Sequence, residues 1–208
     1  MRARDEILAR VRDAVRPTDT GSDPAAYRRV GMRPPEELAD LFAERVSAYR
    51  ATVLHTPKGD VRAAVESACL ESRARRLGVP VDLPVQWRPR TLEVVVDDAL
   101  DIPELDGLDG VLTGCELAVA ETGTIVLAGG ARSGRRALTL VPDLHICVVE
   151  ADQIVELVPE AIARLGSVTR DTGRPLTLVS GPSATSDIEL DRVEGVHGPR
   201  RLVVVIAE

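Results

Sequence analysis

The chain has 208 residues and a formal net charge of −7 at pH 7. This excess of acidic residues, with no basic block along the chain, argues against binding to the phosphate backbone of nucleic acids. Aromatic residues make up only 2% of the chain, so stacking surfaces for single-stranded nucleic acid are not expected. Hydrophobic residues make up 44%, enough for one domain with an aliphatic core, and such a core favours layered α/β packing.

The three cysteines, Cys69, Cys115 and Cys147, lie far apart and form no CxxC pair. Their spacing excludes a self-contained zinc-ribbon or iron–sulfur motif and is typical of buried thiols in a reducing cytosol. No apolar run reaches the roughly 18 residues of a membrane-spanning helix. The charged N-terminal segment also lacks the apolar core of a signal peptide. We therefore expect a cytoplasmic protein without a membrane span.

In the first half of the chain, residues 5–15 place apolar side chains at helical spacing, and a Pro- and Gly-rich stretch follows. This pattern predicts an N-terminal helix and a flexible arm over residues 1–33, followed by one domain over residues 34–208. The domain is predicted to begin with a helix from Pro35. A strand at residues 52–55 comes next, and then a long helix that Asp60 caps and that ends near Gly78.

In the second half, apolar strands alternate with turns and one further helix. The predicted elements are a strand at 92–96, a strand–turn–strand unit at 116–130, two apolar segments in 137–150 split by Pro142–Asp143, a helix at 151–166 closed by Gly166, and strands at 175–180 and 201–207. Several strands are continuous apolar runs, as expected for a sheet covered on both faces. The sequence thus predicts a three-layer α/β/α domain with a mostly parallel sheet and some antiparallel pairing.

The first candidate site is the segment AETGT, which follows a predicted strand. Glu121 has the chemistry of a nucleophile, a general base or an acceptor for substrate hydroxyls. Thr122 and Thr124 offer hydroxyl groups, and Gly123 would let a ligand approach the backbone. The alternative is a tight hairpin in which Gly123 supplies a positive φ.

The second candidate site is the stretch SGPSATSDIE, which follows another predicted strand. It offers backbone N–H groups and side-chain oxygens at Ser180, Gly181, Ser183, Thr185 and Asp187. A small anionic or hydroxylated ligand is compatible with these groups. If the strands that precede the two segments are parallel, both segments emerge at one edge of the sheet and line one cleft.

Part of this stretch has a structural alternative. Ser186 and Glu189 have the S-x-x-E spacing of a helix capping box, which needs no ligand.

Further along, His197 lies between glycines and could serve as an acid or a base, while Arg200 could hold a carboxylate. A turn histidine and a surface arginine paired with an acid are the alternatives. Asp143, His145 and Cys147 share one face of a predicted strand. A metal site there lacks a second ligand cluster, so we interpret His145 as a buried or edge histidine and assign no metal ligand.

Three motifs, AETGTIVLAGG, LTLVPDLHICVVEADQIV and SGPSATSDIELDRVEGVHGPRRLVVVI, occur in this order between residues 120 and 206, within a resemblance that covers about residues 35–208. Together they resemble the LUD-domain family, in the short form without iron–sulfur motifs. The resemblance implies a fold like that of ribose-5-phosphate isomerase, glucosamine-phosphate deaminase and coenzyme A transferase. It also implies a role in oxidising L-lactate to pyruvate with two partner proteins that carry the iron–sulfur clusters, and no cofactor on this chain.

The resemblance supplies no established catalytic residue, although Glu121 lies in a segment similar to a glutamate-bearing turn of the transferases. A homo-oligomer is also compatible with the sequence. Two other functions stay open from the sequence. One is a stand-alone enzyme or binding protein for a sugar phosphate, a folate or an acyl-CoA. The other is an assembly or regulatory module with a vestigial pocket.

Overall fold

The computed structural model describes residues 3–14, 27–130, 132–185, 193–195 and 197–208. Its centre is a six-stranded sheet in which all neighbouring strands are parallel, in the order β1-β12-β7-β4-β2-β3. These strands are β1 (Thr52–Thr56), β2 (Arg76–Pro80), β3 (Glu93–Asp97), β4 (Gly110–Gly114), β7 (Leu144–Glu150) and β12 (Arg201–Ala207). The predicted mostly parallel α/β fold is confirmed.

A second sheet has four strands, in the order β8-β5-β6-β9. They are β5 (Leu117–Val119), β6 (Thr124–Ala128), β8 (Ile154–Val155) and β9 (Leu176–Val179), and β6 pairs antiparallel with both of its neighbours. A short hairpin of β10 (Ala184–Thr185) and β11 (Val193–Glu194) stands apart from both sheets. The antiparallel pairing predicted from the sequence is therefore concentrated in a separate sheet.

Five helices complete the described part of the chain: α1 (Ala3–Ala14), α2 (Pro35–Ala48), α3 (Val61–Ser72), α4 (Ile102–Asp106) and α5 (Val158–Thr172). Helix α3 packs on one face of the six-stranded sheet, where Val65 and Cys69 meet side chains such as Ile146. Helix α2 and the inner face of the second sheet cover the opposite face, and α5 packs on the outer face of the second sheet. Alternate side chains of β7 enter different cores, which explains why that strand is apolar throughout.

The predicted helix from Asp60 to Gly78 is too long. Helix α3 ends at Ser72, because Arg73 adopts a left-handed conformation (φ 58°) and the chain turns there. Gly78 lies inside β2, where an added Cβ would be 2.7 Å from Leu108. This glycine therefore permits close packing between elements and does not end the helix.

Two further element predictions are wrong in detail. Residues 137–141 form turns and no strand, so that only β7 of the two predicted apolar segments is extended. The segment 151–166 divides into a 3₁₀ turn, the short strand β8 and the start of α5, in which Pro159 occupies the first turn. Gly166 lies within α5, and the helix ends at Gly173 in a left-handed conformation.

No described residues form a helix with the length and apolar character needed to cross a membrane. The predicted boundary between an N-terminal arm and a domain at residues 33 and 34 stays a prediction. Helix α1 has no buried residue, whereas residues 28–33 contact the domain.

Candidate functional site

The two candidate segments meet in the structure. Strands β5 and β9 run in the same direction, with the antiparallel strand β6 between them. The turn after β5 and Ser180 after β9 therefore lie at the same edge of the second sheet. A chain of hydroxyl groups links them, since Thr124 Oγ1 is 2.7 Å from Thr122 Oγ1 and 2.8 Å from Ser180 Oγ.

The side chain of Glu121 pairs with Arg28 of the N-terminal arm. Its side chain is about half exposed, and its backbone N–H donates to the carbonyl of Glu156. Gly123 occupies the hairpin turn with a φ of 59°, as the structural alternative predicted. The role of Glu121 as a catalytic group stays a prediction, and its pairing with Arg28 supplies a structural role.

The arm is held by Glu156, whose side chain is only 7% exposed. Its Oε2 accepts the backbone N–H groups of Met32 at 2.6 Å and Arg33 at 2.7 Å. The hydrogen bond from the Arg33 N–H makes the largest contribution to lowering the pKa of Glu156 below its ordinary value. The hydrogen bond from the Met32 N–H and the charges of Arg28 and Arg33 also lower this pKa. The carboxylate is therefore the form that docks the arm.

Docking of residues 32–33 is expected to depend on pH. Because the folded-state pKa of Glu156 is lowered, its contribution is complete above the ordinary carboxyl pKa and is lost as pH falls through the lowered value. Amide hydrogen exchange at Met32 and Arg33 should accelerate relative to buried amides of β7 as the pH falls in this range. Glu156→Gln should remove the step, and Glu37→Gln, an exposed carboxylate paired with Arg33, should retain it. The same step in Glu156→Gln would contradict this assignment.

A cavity near the candidate segments has a volume of about 230 Å³. It lies where β9 ends and where β7 and β12 begin, and is lined by residues 177–183 and 197–199 together with Arg136, Thr139 and His145. We call this cavity the Arg136 pocket. The pocket adjoins the carboxyl end of β9 but the amino ends of β7 and β12. It therefore does not lie beyond the carboxyl ends of the parallel strands, where ligands usually bind in such sheets.

One wall of the pocket is built by hydrogen bonds around Ser183. The N–H of Ser183 donates to the carbonyl of Pro199 at 2.8 Å, and Ser183 Oγ accepts the N–H of His197 at 2.9 Å. Gly181 has a φ of 94°, and an added Cβ would be 2.4 Å from Cβ of Tyr49. Ser183 and Gly181 therefore have a structural role in this wall of the pocket.

His197 lines the pocket, and its backbone carbonyl accepts a hydrogen bond from Arg136 Nη2 at 3.0 Å. Thr185 lies in the short hairpin strand β10. Asp187, Ser186 and Glu189 lie outside the described residues, so the predicted ligand contact and the predicted capping box stay predictions.

Arg200 has a different environment from the one that a carboxylate clamp needs. Its Nε is 3.3 Å from Oδ1 of Asp143, and Arg200 is not among the residues that line the pocket. The alternative interpretation, a surface arginine paired with an acid, therefore describes the geometry of Arg200.

Sequence reasoning missed Arg136, which extends into the pocket. Its Nη1 donates to the carbonyl and the hydroxyl oxygen of Thr139, both at 3.2 Å, and burial lowers the pKa of its guanidinium. The neighbouring Arg135 binds the buried carboxylate of Asp97 with three contacts of 2.8–3.0 Å. This pair anchors the segment that carries Arg136. The adjacent arginines look alike in the sequence, and only the fold separates their roles.

His145 is buried, as the sequence interpretation proposed, and it also reaches the pocket. Its Nε2 is 2.8 Å from Thr113 Oγ1. On the same face, Cys147 lies beside Cys115, whose pKa is raised by its hydrogen bond with Cys147 and by burial. Among the described residues, no group of three or more His, Cys, Asp or Glu side chains could hold a metal ion.

The family model of the LUD domain matches residues 39–207. The chain belongs to the LUD domain family. The match begins within α2 and ends at the last residue of β12, so this LUD domain contains both sheets and the Arg136 pocket.

Two known proteins are similar over much of this chain. Lactate utilization protein C of Deinococcus radiodurans is 44% identical over 208 aligned residues, which cover 98% of this chain and 95% of that protein. The protein YkgG of Escherichia coli, named as uncharacterized, is 28% identical over 81% of this chain and 72% of its own length.

A crystal structure of a DUF162 family protein from Deinococcus radiodurans superposes with a TM-score of 0.74 and 38% sequence identity. The superposition covers 85% of this chain and 100% of that chain, so the overall fold is shared with a solved structure.

Proposed function

We propose that this LUD-domain chain is a cytoplasmic component of an L-lactate utilisation system and carries no iron–sulfur cluster itself. In this proposal, two partner proteins with iron–sulfur clusters take the electrons when lactate is oxidised to pyruvate. The observation that carries the proposal is the 44% identity to a lactate utilization protein C along almost the full length of both chains.

The cysteines of this chain support the proposal that the partner proteins, and not this chain, carry the iron–sulfur clusters. Iron–sulfur clusters are generally held by four thiolates, and this chain has three cysteines. Cys69 lies in the core beneath α3, whereas Cys115 and Cys147 lie in the core beneath α2, on the other side of the six-stranded sheet. All three are buried, and the sheet separates Cys69 from Cys115 and Cys147, so they do not fit a cluster site.

The test combines growth with co-purification. Deleting the gene should abolish growth on L-lactate but not on glucose, and re-expression of the chain should restore it. An affinity-tagged chain co-expressed with its genomic neighbours should retain proteins with the visible absorbance of iron–sulfur clusters. Normal growth on lactate after deletion, together with no cluster-bearing protein in the eluate, would refute the proposal.

A further inference from the structure

We infer that the Arg136 pocket is a binding site for a short 2-hydroxy or 2-oxo carboxylate, with Arg136 as the residue that contacts the carboxylate. The inference deepens the proposed function and rests on it for the choice of acid. It depends on the charge of the pocket, its size and the hydrogen-bonding groups beside Arg136.

The first observation is the charge of Arg136. Among the described residues, its hydrogen-bond acceptors are all uncharged: the carbonyl and hydroxyl oxygens of Thr139 and the carbonyl of His197. Arg135, by contrast, is paired with Asp97, and Arg200 with Asp143. A half-buried guanidinium whose hydrogen-bond acceptors among the described residues are all neutral favours an anion, and its planar donors match a carboxylate.

The second observation is the size of the pocket. Its volume of about 230 Å³ is below the roughly 300–1,000 Å³ of sites for drug-sized ligands. A three-carbon acid fits inside this volume, whereas most of a coenzyme A ester or a dinucleotide would have to lie outside it. A single guanidinium also matches the single charge of a carboxylate better than the double charge of a phosphate monoester.

The third observation is the set of neutral polar groups around the cation. The hydroxyl of Ser183 accepts the His197 N–H, so its own hydrogen is available to a second partner. His145 also lines the pocket while its Nε2 is engaged by Thr113. A hydroxyl or carbonyl oxygen on the carbon next to a carboxylate would find hydrogen-bonding partners here.

The inference is tested by calorimetric titration of the full chain with L-lactate, pyruvate, L-lactamide and inorganic phosphate. Lactamide has the shape of lactate without its charge. Lactate and pyruvate should bind, and lactamide should bind at least about tenfold more weakly, because a hydrogen bond to a charged group contributes more. Phosphate should not displace pyruvate.

The variants Arg136→Gln and Arg170→Gln remove the same charge, the first in the pocket and the second from the exposed end of α5. We expect Arg136→Gln to weaken lactate binding at least about tenfold, to the affinity of lactamide, and Arg170→Gln to leave it unchanged. Equal binding of lactate and lactamide by the unaltered chain would overturn the inference even if Arg136→Gln failed to fold. Efficient competition by phosphate, or absence of binding by both acids, would also overturn it, while the growth test would still report separately on the proposed function.

Discussion

Replacing Phe42 by alanine is expected to lower the free energy of unfolding by about 3–5 kcal/mol, the usual cost of emptying a fully buried aromatic position. Phe42 is the one phenylalanine of the chain and is completely buried. It lies in the core that joins α2 to both sheets, together with Ile125 of β6 and Ile206 of β12. The cavity left by the ring would therefore weaken the contact between the two sheets. Chemical denaturation, followed by far-UV circular dichroism, measures the change.

Leu70→Ala is the matched control for Phe42→Ala. Leu70 is also a helical residue but is 80% exposed, so its truncation should change the free energy of unfolding by no more than about 0.5 kcal/mol. If both variants lower the free energy of unfolding by the same small amount, α2 is not packed against the two sheets as described.

Gly123→Ala should be strongly destabilising, by about 2–5 kcal/mol. One part is the left-handed backbone, which costs a residue with a Cβ about 1–2 kcal/mol at the observed φ of 59°. The other part is overpacking, typically about 1–3 kcal/mol. The new Cβ would lie 2.6 Å from the backbone N of Val46 and 2.7 Å from the backbone carbon of Arg45, and a backbone cannot move aside as a side chain can.

Gly173→Ala separates these two costs. Gly173 has almost the same φ, 63°, but no atom lies within 4 Å of the position that its Cβ would take. Thermal and urea unfolding of the two variants should show only the backbone cost of about 1–2 kcal/mol for Gly173→Ala. A loss of stability in Gly123→Ala that is no greater than in Gly173→Ala would mean that the turn after β5 does not rest on α2.

The site depends on the turn that Gly123 forms. Thr122 and Thr124 flank this glycine, and their hydroxyls lead to Ser180 at the edge of the Arg136 pocket. If the turn moves away from α2, the hydroxyl chain moves with it. A Gly123→Ala protein that still folds at low temperature therefore also tests whether the pocket wall depends on this turn.

The sequence by itself determined the fold class of this protein and seven of its twelve described strands, but not β2 and β4 of the central sheet or the short strands β8, β10 and β11. Continuous apolar runs such as 201–207 require cover on both faces of a sheet, and the turn residues between runs separate the elements. It did not determine the end of α3, because the left-handed residue there is Arg73, where a glycine is the usual signal. It also did not separate the strands into two sheets, since strand partners depend on contacts between residues far apart in the chain.

The same distinction applies to the candidate site. The two polar segments were visible in the sequence, because each places small and hydroxyl-bearing residues directly after a strand. Only the tertiary structure decided which of their groups share a cavity: Ser180 and Ser183 line the pocket, whereas Glu121 pairs with Arg28 and Arg200 with Asp143. Arg136 and His145 reach the pocket from other parts of the chain. Charge pairing and burial depend on neighbours in space, so local sequence could not assign these roles.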